Sequence, residues 1–593
     1  MKRLSMLDAA FLYLETPETP MHVGSVSTFK PSGRQENLFE RFREHTGARL
    51  DVLPSYRRRL EATPFGLGHP VWVVDDKLDL DHHIRRHALP KPGGMAELRA
   101  LIAQLHAVPL DRSRPLWEYH FIEGLEDGGF AVYTKMHHCG MDGLAGMSTL
   151  SVLFDFEPGV EDESLPKTIF PPDAETNDFI ELTSTAIGDF VRQGWRAVTS
   201  LPGVASALTK TAPNLARDAR YLYSHVKDMP RTPFNKAISR HRAYATSSLP
   251  LPEVKALAKS RGVTINDVVL ALCAGALRRY LIEHAALPAK PLTAGVPVSL
   301  RPLGDKQLNN QVVFTLSHLP TDVAEPLPRL AAAQAAGKEA KNLFADMRDF
   351  FTTDVSIVGA PLVVTALAKL WAGVRAADYT RPFLNVIISN VPGPRQPMYC
   401  VGAQATHFFP GSIPYHGSAL NITVHSYLDQ LDFGLIACSE TVPDAQRIAD
   451  FIVDDFAAMR KADADLSRPE AIETVETNAV AARPAPVAAH KPIELAEAKA
   501  EPRAPKVGKA STLAQGIDAL GEATEASLRR LEKAQPAAPA KTRAAKANAT
   551  TPRKRAAAKP GASEPASGEA KRARPARTGA GKAAKPAPPR SKP

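Results

Sequence analysis

The residues that could do chemistry gather in one stretch, Gly129-Phe-Ala-Val-Tyr-Thr-Lys-Met-His137-His138-Cys-Gly-Met-Asp142-Gly143. Phe130 to His138 reads as a strand, and successive side chains on a strand point to opposite faces. Phe130, Val132, Thr134, Met136 and His138 then share a mostly apolar face, while Ala131, Tyr133, Lys135 and His137 share the other. On that register His138 points toward a core or cavity and His137 points away. Gly140 and Gly143 permit a tight turn. A helix with Leu144, Met147, Leu150 and Phe154 inward is expected next, with Asp142 placed as its N-cap. Three roles fit His138. It could be a satisfied core histidine beside a plain helix cap. It could ligate a metal, although adjacent histidines on opposite strand faces cannot easily hold one ion. Or its neutral imidazole, with a pKa range suited to proton removal near pH 7, could act as a general base beside a structural carboxylate.

Two other groups invite chemistry. Cys139 sits inside the same stretch, but on the strand register it points with His137, away from His138. His82-His83-Ile-Arg-Arg-His87 is dense in histidine but lacks an Asp-Gly partner, and it lies in a charged stretch beginning Asp75-Asp76, so it reads as exposed surface.

The elements that must position His138 come from a chain of 593 residues, enough for two or more core-bearing domains. Upstream of about residue 465, strand and helix patterns alternate, which predicts an α/β or α+β body. We place a first domain at 1–175, a helical, Pro-punctuated connector at 176–240 with an amphipathic run at 190–204, and a second domain at 241–465. Strands are expected around 292–302 and 383–391, with a hairpin of 419–427 against 431–438 turned near Asp429. Pro443 opens a final helix over 444–461 whose buried stripe is Ile448, Phe451, Ile452, Phe456 and Met459. Residues 466–593 turn to Ala, Pro, Lys and Arg. Such a segment cannot bury enough apolar surface to offset its ordering entropy, so it reads as disordered, with a short amphipathic helix expected at 511–534.

The net charge of +10 belongs to that tail. Residues 536–593 hold 15 Lys and Arg against 2 Glu, which leaves residues 1–535 near −3. Polyanion or nucleic-acid binding is therefore an expectation for the tail alone. Four scattered cysteines make neither a disulfide framework nor a CxxC pair. The N-terminus carries Asp8 and Glu15 inside its apolar stretch, unlike a secretory segment, and the best uncharged run, 355–368, contains Pro361 and is too short to span a bilayer. The expectation is a cytoplasmic protein that at most lies on a membrane face or a lipid inclusion.

His137-His138-Cys-Gly-Met-Asp142-Gly143 matches the HHxxxDG pattern, and the chain resembles the bacterial wax ester synthase/diacylglycerol acyltransferase family. Leu4-Ser-Met-Leu-Asp-Ala-Ala-Phe-Leu-Tyr-Leu-Glu and Pro20-Met-His-Val-Gly24 resemble that family's opening. Pro115-Leu116-Trp117 resembles its PLW motif and Asn266-Asp267 its ND motif. Val296-Pro-Val-Ser-Leu-Arg301 and Ser389-Asn-Val-Pro-Gly-Pro394 resemble further blocks. The likeness spans residues 4–462. Where the family commonly has a Gly-Asn-Asn-like segment, this chain reads Leu308-Asn309-Asn310-Gln311.

The resemblance implies two chloramphenicol-acetyltransferase-like α/β domains with mixed sheets, joined by the helical connector, with His138 at their interface and 389–394 crossing between them. It implies transfer of a long acyl group from acyl-CoA to diacylglycerol or a long-chain alcohol, without metal or redox cofactor and without a covalent step on Cys139. His138 is the implied base, His137 a supporting motif residue, Asp142 structural and Gly143 the turn. Asn266 is either a polar contact stabilising the oxyanion or the N-cap of a helix over 267–280. Pro115, Leu116, Trp117 and Asp267 are the implied substrate-side residues, the PLW trio more as packing than as chemistry. Two alternatives stay open: a carrier-bound donor with a polyketide or other specialised alcohol, and a non-catalytic tether for lipid inclusions or nucleic acid.

Overall fold

Alternating β-branched and aromatic residues build two six-stranded sheets, each too apolar to be left facing water. The computed structural model describes residues 2–30, 36–50, 54–63, 69–140, 150, 153–158, 229–299, 312–351 and 360–467. In chain order the elements of the first half are β1 (Lys2–Arg3), α1 (Met6–Leu14), β2 (His22–Lys30), α2 (Leu38–Arg49), β3 (Arg58–Glu61), β4 (Val71–Val74), β5 (Ile84–Ala88), α3 (Met95–His106), β6 (Trp117–Glu123) and β7 (Phe130–His137). The second half supplies β8 (Arg242–Pro250), α4 (Leu251–Arg261), α5 (Ile265–Glu283), β9 (Leu292–Ser299), β10 (Val312–Leu319), α6 (Pro326–Phe351) and α7 (Ala360–Gly373). It ends with β11 (Val386–Val391), β12 (Tyr399–Cys400), β13 (Ala403–Gly411), β14 (Leu420–Tyr427), β15 (Gln430–Cys438) and α8 (Ala445–Ser467).

The first large sheet has the order β12-β13-β2-β7-β6-β5, and a small sheet, β1-β4-β3, stands apart from it. In the large sheet β7 is central, with His22 of β2 opposite His137 and Trp117 of β6 opposite Met136. Only β5 runs parallel to its neighbour. One face is covered by a cluster containing Phe42, Phe121, Phe130 and Phe154, the other by one containing Ile102, Ala131, Tyr133 and Tyr244. The chain reaches this sheet a second time after Val391, when β12 and β13 add to its β2 edge.

The second sheet, β10-β9-β11-β14-β15-β8, is mixed, with β11 parallel to both β9 and β14. The apolar helix α5 is buried from Asp267 through Leu277 and packs against α8 and α6. Arg329 of α6 donates to Asp455 of α8 at 2.5 Å, with both side chains buried. The two sheets meet where β13 crosses β15. Phe408 N donates to Asp432 at 2.7 Å, and a Cβ on Gly434 would stand 1.7 Å from the Pro410 carbonyl, so only glycine allows this approach.

The hairpin and the final helix form as expected, with Ile448, Phe451, Ile452, Phe456 and Met459 all buried. Of the expected connector helix, residues 229–241 run without helical structure. Residues 190–204, Leu308-Asn309-Asn310-Gln311, 511–534, Asp142 and Gly143 lie outside the described residues. Among the described residues, no helix is long and apolar enough to cross a membrane.

Candidate functional site

The strand carrying the motif ends at His137, one residue earlier than expected, because His138 leaves the ladder to begin a tight 3-10 turn, His138–Gly140. Two backbone hydrogen bonds fix the break. His137 N donates to Leu116 O at 3.0 Å, and His138 N donates to Met21 O at 2.8 Å. The PLW segment and the opening block thus grip the two histidines from either side.

His137 is 1% exposed, while His138 is half-buried. Both faces of β7 are covered, so the Tyr133, Lys135 and His137 face is a buried polar one.

His138 is held by α1. Ser5 caps that helix by accepting from Asp8 N, and Ala9 and Leu12 pack with Leu4, Leu110, Leu116 and Cys139. Phe11 of α1 packs against the same cluster, and its ring stacks on the His138 imidazole at a centroid distance of 4.0 Å and an interplanar angle of 10°. One ring face is therefore occupied, and the imidazole plane is set parallel to Phe11.

His137 is held differently. Cys139 N donates to its Nδ1 at 3.1 Å, so Nδ1 is unprotonated and the proton of the neutral ring sits on Nε2. That Nε2 lies 3.4 Å from Glu15 Oε1. Glu15 also accepts from Met21 N at 2.9 Å and from Arg112 at 2.8 and 2.5 Å. Burial alone would raise the Glu15 pKa, but His137, then Arg112 and the Met21 amide, bring it down to about 2. One ionised carboxylate thus faces His137 and fastens the segment whose carbonyl holds His138. With Nδ1 accepting from the backbone and Nε2 turned to Glu15, His137 has no ring atom left to accept a substrate proton.

Sequence reading missed Glu15 and Phe11 as site residues. Glu15 closes the opening block, but nothing local ties residue 15 to residue 137. It also missed a second polar knot behind the strand. Lys135, 1% exposed, donates to Glu118 at 3.2 Å, and His120 and Arg85 lie 3.4 and 3.3 Å from the same carboxylate. Burial opposes ionisation of Glu118, yet His120, Lys135 and Arg85 bring its pKa to about 2, while burial lowers that of Lys135.

Cys139 is buried, and burial pushes its thiol well above the ordinary range, unsuited to supplying a thiolate nucleophile. Pro115, Leu116 and Trp117 are buried; Trp117 Nε1 donates to Tyr56 O at 3.1 Å, and its indole stacks on His83 at 4.3 Å. His83 is thereby fully buried, contrary to the exposed surface expected of the 82–87 cluster. Among the described residues no group of three or more His, Cys, Asp or Glu is arranged to hold a metal.

In the second half, α5 is capped by Thr264 rather than by Asn266. Thr264 Oγ1 accepts from Asp267 N, and the Asp267 carboxylate accepts from Thr264 N at 2.9 Å, closing a reciprocal box. The helix starts two residues before the expected 267, which leaves Asn266 inside the first turn, half-buried, with no capping duty.

Residues 4–269 match the family model described as the wax ester synthase/diacylglycerol acyltransferase catalytic domain, and residues 308–460 match the WS/DGAT C-terminal domain. The chain is 37% identical over 468 residues to a putative diacylglycerol O-acyltransferase of Mycobacterium tuberculosis strain H37Rv, covering 77% of this chain and 99% of that protein. A probable diacylglycerol O-acyltransferase of the same strain is 36% identical over 446 residues, covering 74% of this chain and 95% of its own length. Among solved structures, a wax ester synthase/diacylglycerol acyltransferase from Marinobacter aquaeolei VT8 is similar at 33% identity with a TM-score of 0.56, covering 78% of this chain and all of that one.

Proposed function

The chain belongs to the wax ester synthase/diacylglycerol acyltransferase family, and we infer that it moves a long fatty acyl group from acyl-CoA to diacylglycerol, a long-chain alcohol, or both. The products are triacylglycerol and wax esters. His138 is the general base: a ring nitrogen takes the proton of the acceptor hydroxyl as its oxygen attacks the thioester carbonyl. The C–S bond of the tetrahedral intermediate then breaks, and the imidazolium returns the proton to the departing coenzyme A thiolate. A positioned base of this kind contributes roughly 10²–10⁴-fold.

The observation that carries this reading is the contrast within the motif. His138 is only half-buried and ring-stacked on Phe11, whereas His137 is buried, with Nδ1 accepting from Cys139 N and Nε2 beside Glu15. His137 and Glu15 position the turn, and Asp142 and Gly143 complete the motif in sequence as its structural carboxylate and turn residue. Asn266, freed from capping, is the polar contact for the developing oxyanion. Pro115, Leu116, Trp117 and Asp267 support the substrate side by packing and by capping α5. Peripheral association with a lipid surface, and polyanion binding by residues 466–593, belong to the same proposal.

Coenzyme A release from palmitoyl-CoA, followed with hexadecanol and with diacylglycerol as separate acceptors, tests the reading. It expects an acceptor-dependent thiol signal and the matching ester. Thiol release that no acceptor stimulates would overturn it.

A further inference from the structure

In α7, Leu367, Leu370, Trp371 and the adjoining Val374 fall at i, i+3, i+4 and i+7, the spacing that normally turns one helix face toward a core. Here that face is bare: the four side chains are 59%, 60%, 44% and 56% exposed. Tyr379 and Phe383 follow at 82% and 52%. Single exposed apolar residues are ordinary on protein surfaces, but a registered stripe of this size marks a contact surface. Lys369, Arg375 and Arg381 lie among these residues against one acid, Asp378, which pairs with Arg375 at 2.7 Å. The segment 360–383 therefore carries +2, although residues 1–535 together are near −3.

We propose that α7 and the residues through Phe383 form the face by which this protein docks on a lipid surface bearing anionic headgroups. A bare apolar stripe, with Trp and Tyr at its margins and cations beside it, has the composition of a helix lying in the headgroup layer. A second copy of this chain is the poorer occupant, because a two-fold pairing would set two +2 faces against each other. The location adds a functional point. The helix α7 packs against α1, and α1 carries Phe11 on His138 and the half-exposed Leu14. Docking by α7 thus brings the base close to the layer in which diacylglycerol and long-chain alcohols dissolve. This proposal rests on the reading that the acceptors are such lipids.

The test uses the full-length chain, with the double variant Leu370→Ser/Trp371→Ser beside it, and phosphatidylglycerol/phosphatidylcholine vesicles in 0.5 M NaCl, where binding by the basic tail is suppressed. Vesicles with brominated acyl chains should quench wild-type tryptophan fluorescence, and the quenching should vanish in Trp371→Phe. Partitioning should fall at least tenfold in the double variant. Turnover of vesicle-borne diacylglycerol should fall with it, while turnover of octanoyl-CoA with a short water-soluble alcohol stays within twofold of wild type. Unchanged quenching and partitioning in the variants would overturn the proposal. So would a wild-type dimer, formed without vesicles, that the double variant converts to a monomer. Absence of turnover by the wild type with every donor and acceptor would instead overturn the acyltransferase reading, and the vesicle data would stand apart from it.

Discussion

Glu15→Gln removes one charge from a group that makes contacts on three sides, so its effects can be worked out in advance. The wild-type carboxyl is held at about 2 instead of 4.5. At about 1.4 kcal/mol per tenfold change in acidity, this corresponds to on the order of 3 kcal/mol. Arg112 is half-exposed and can exchange its partner for water, so we expect a loss of about 2–3 kcal/mol. With an unfolding entropy of about 2.1 cal/mol/K per residue over a folded body of about 450 residues, the melting temperature should fall by roughly 2–3 °C at pH 7. The sign of the pH dependence follows from the lowered pKa. The stabilisation is complete above about pH 4.5 and is lost as pH falls toward 2, so the gap between wild type and Glu15→Gln should close over that window. Turnover should fall by about 10–100-fold through kcat, because the Met21 carbonyl that fixes His138 is loosened while substrate contacts are not. Differential scanning fluorimetry across pH and steady-state kinetics read both effects. A melting gap that stays constant down to pH 3, or an unchanged kcat, would refute this account of Glu15.

Other outcomes follow from the same structure. Lys135→Met leaves Glu118 buried with fewer cations and should cost about 3–5 kcal/mol in urea unfolding, whereas Lys135→Met/Glu118→Met should recover much of that loss. Gly275→Ala tests packing against propensity: helix propensity favours the substitution by about 1 kcal/mol, but its Cβ would lie 2.4 Å from an Asp455 oxygen, so a lowered melting temperature is expected. Cys139→Ala should keep turnover within a few-fold of wild type, since the thiol takes no part in the chemistry; a loss of two orders of magnitude would reopen a covalent route.

The motif, the strand that carries it, the terminal hairpin and the last helix were legible in the sequence because each rests on local alternation or helical spacing. What failed depended on distant partners. The face with Tyr133, Lys135 and His137 could be read only as the one opposite the apolar face; its burial depends on Glu118 and Glu15, which reach it from elsewhere in the chain. The same holds for His83, which Trp117 covers. The start of α5 was read two residues late, at 267, because Thr264 and Asp267 form a box around Asn266 that the ND pair conceals. Nor does any local signal in residues 399–411 announce that they complete a sheet begun at residue 22.

The most direct test of the central claim compares wild type and His138→Ala in the thiol-release assay with palmitoyl-CoA, supplying diacylglycerol and hexadecanol separately and confirming the fold of the variant by its melting temperature. The account predicts acceptor-dependent turnover that falls by at least two orders of magnitude in His138→Ala, with no comparable loss of stability. Undiminished turnover in a folded His138→Ala protein would contradict it.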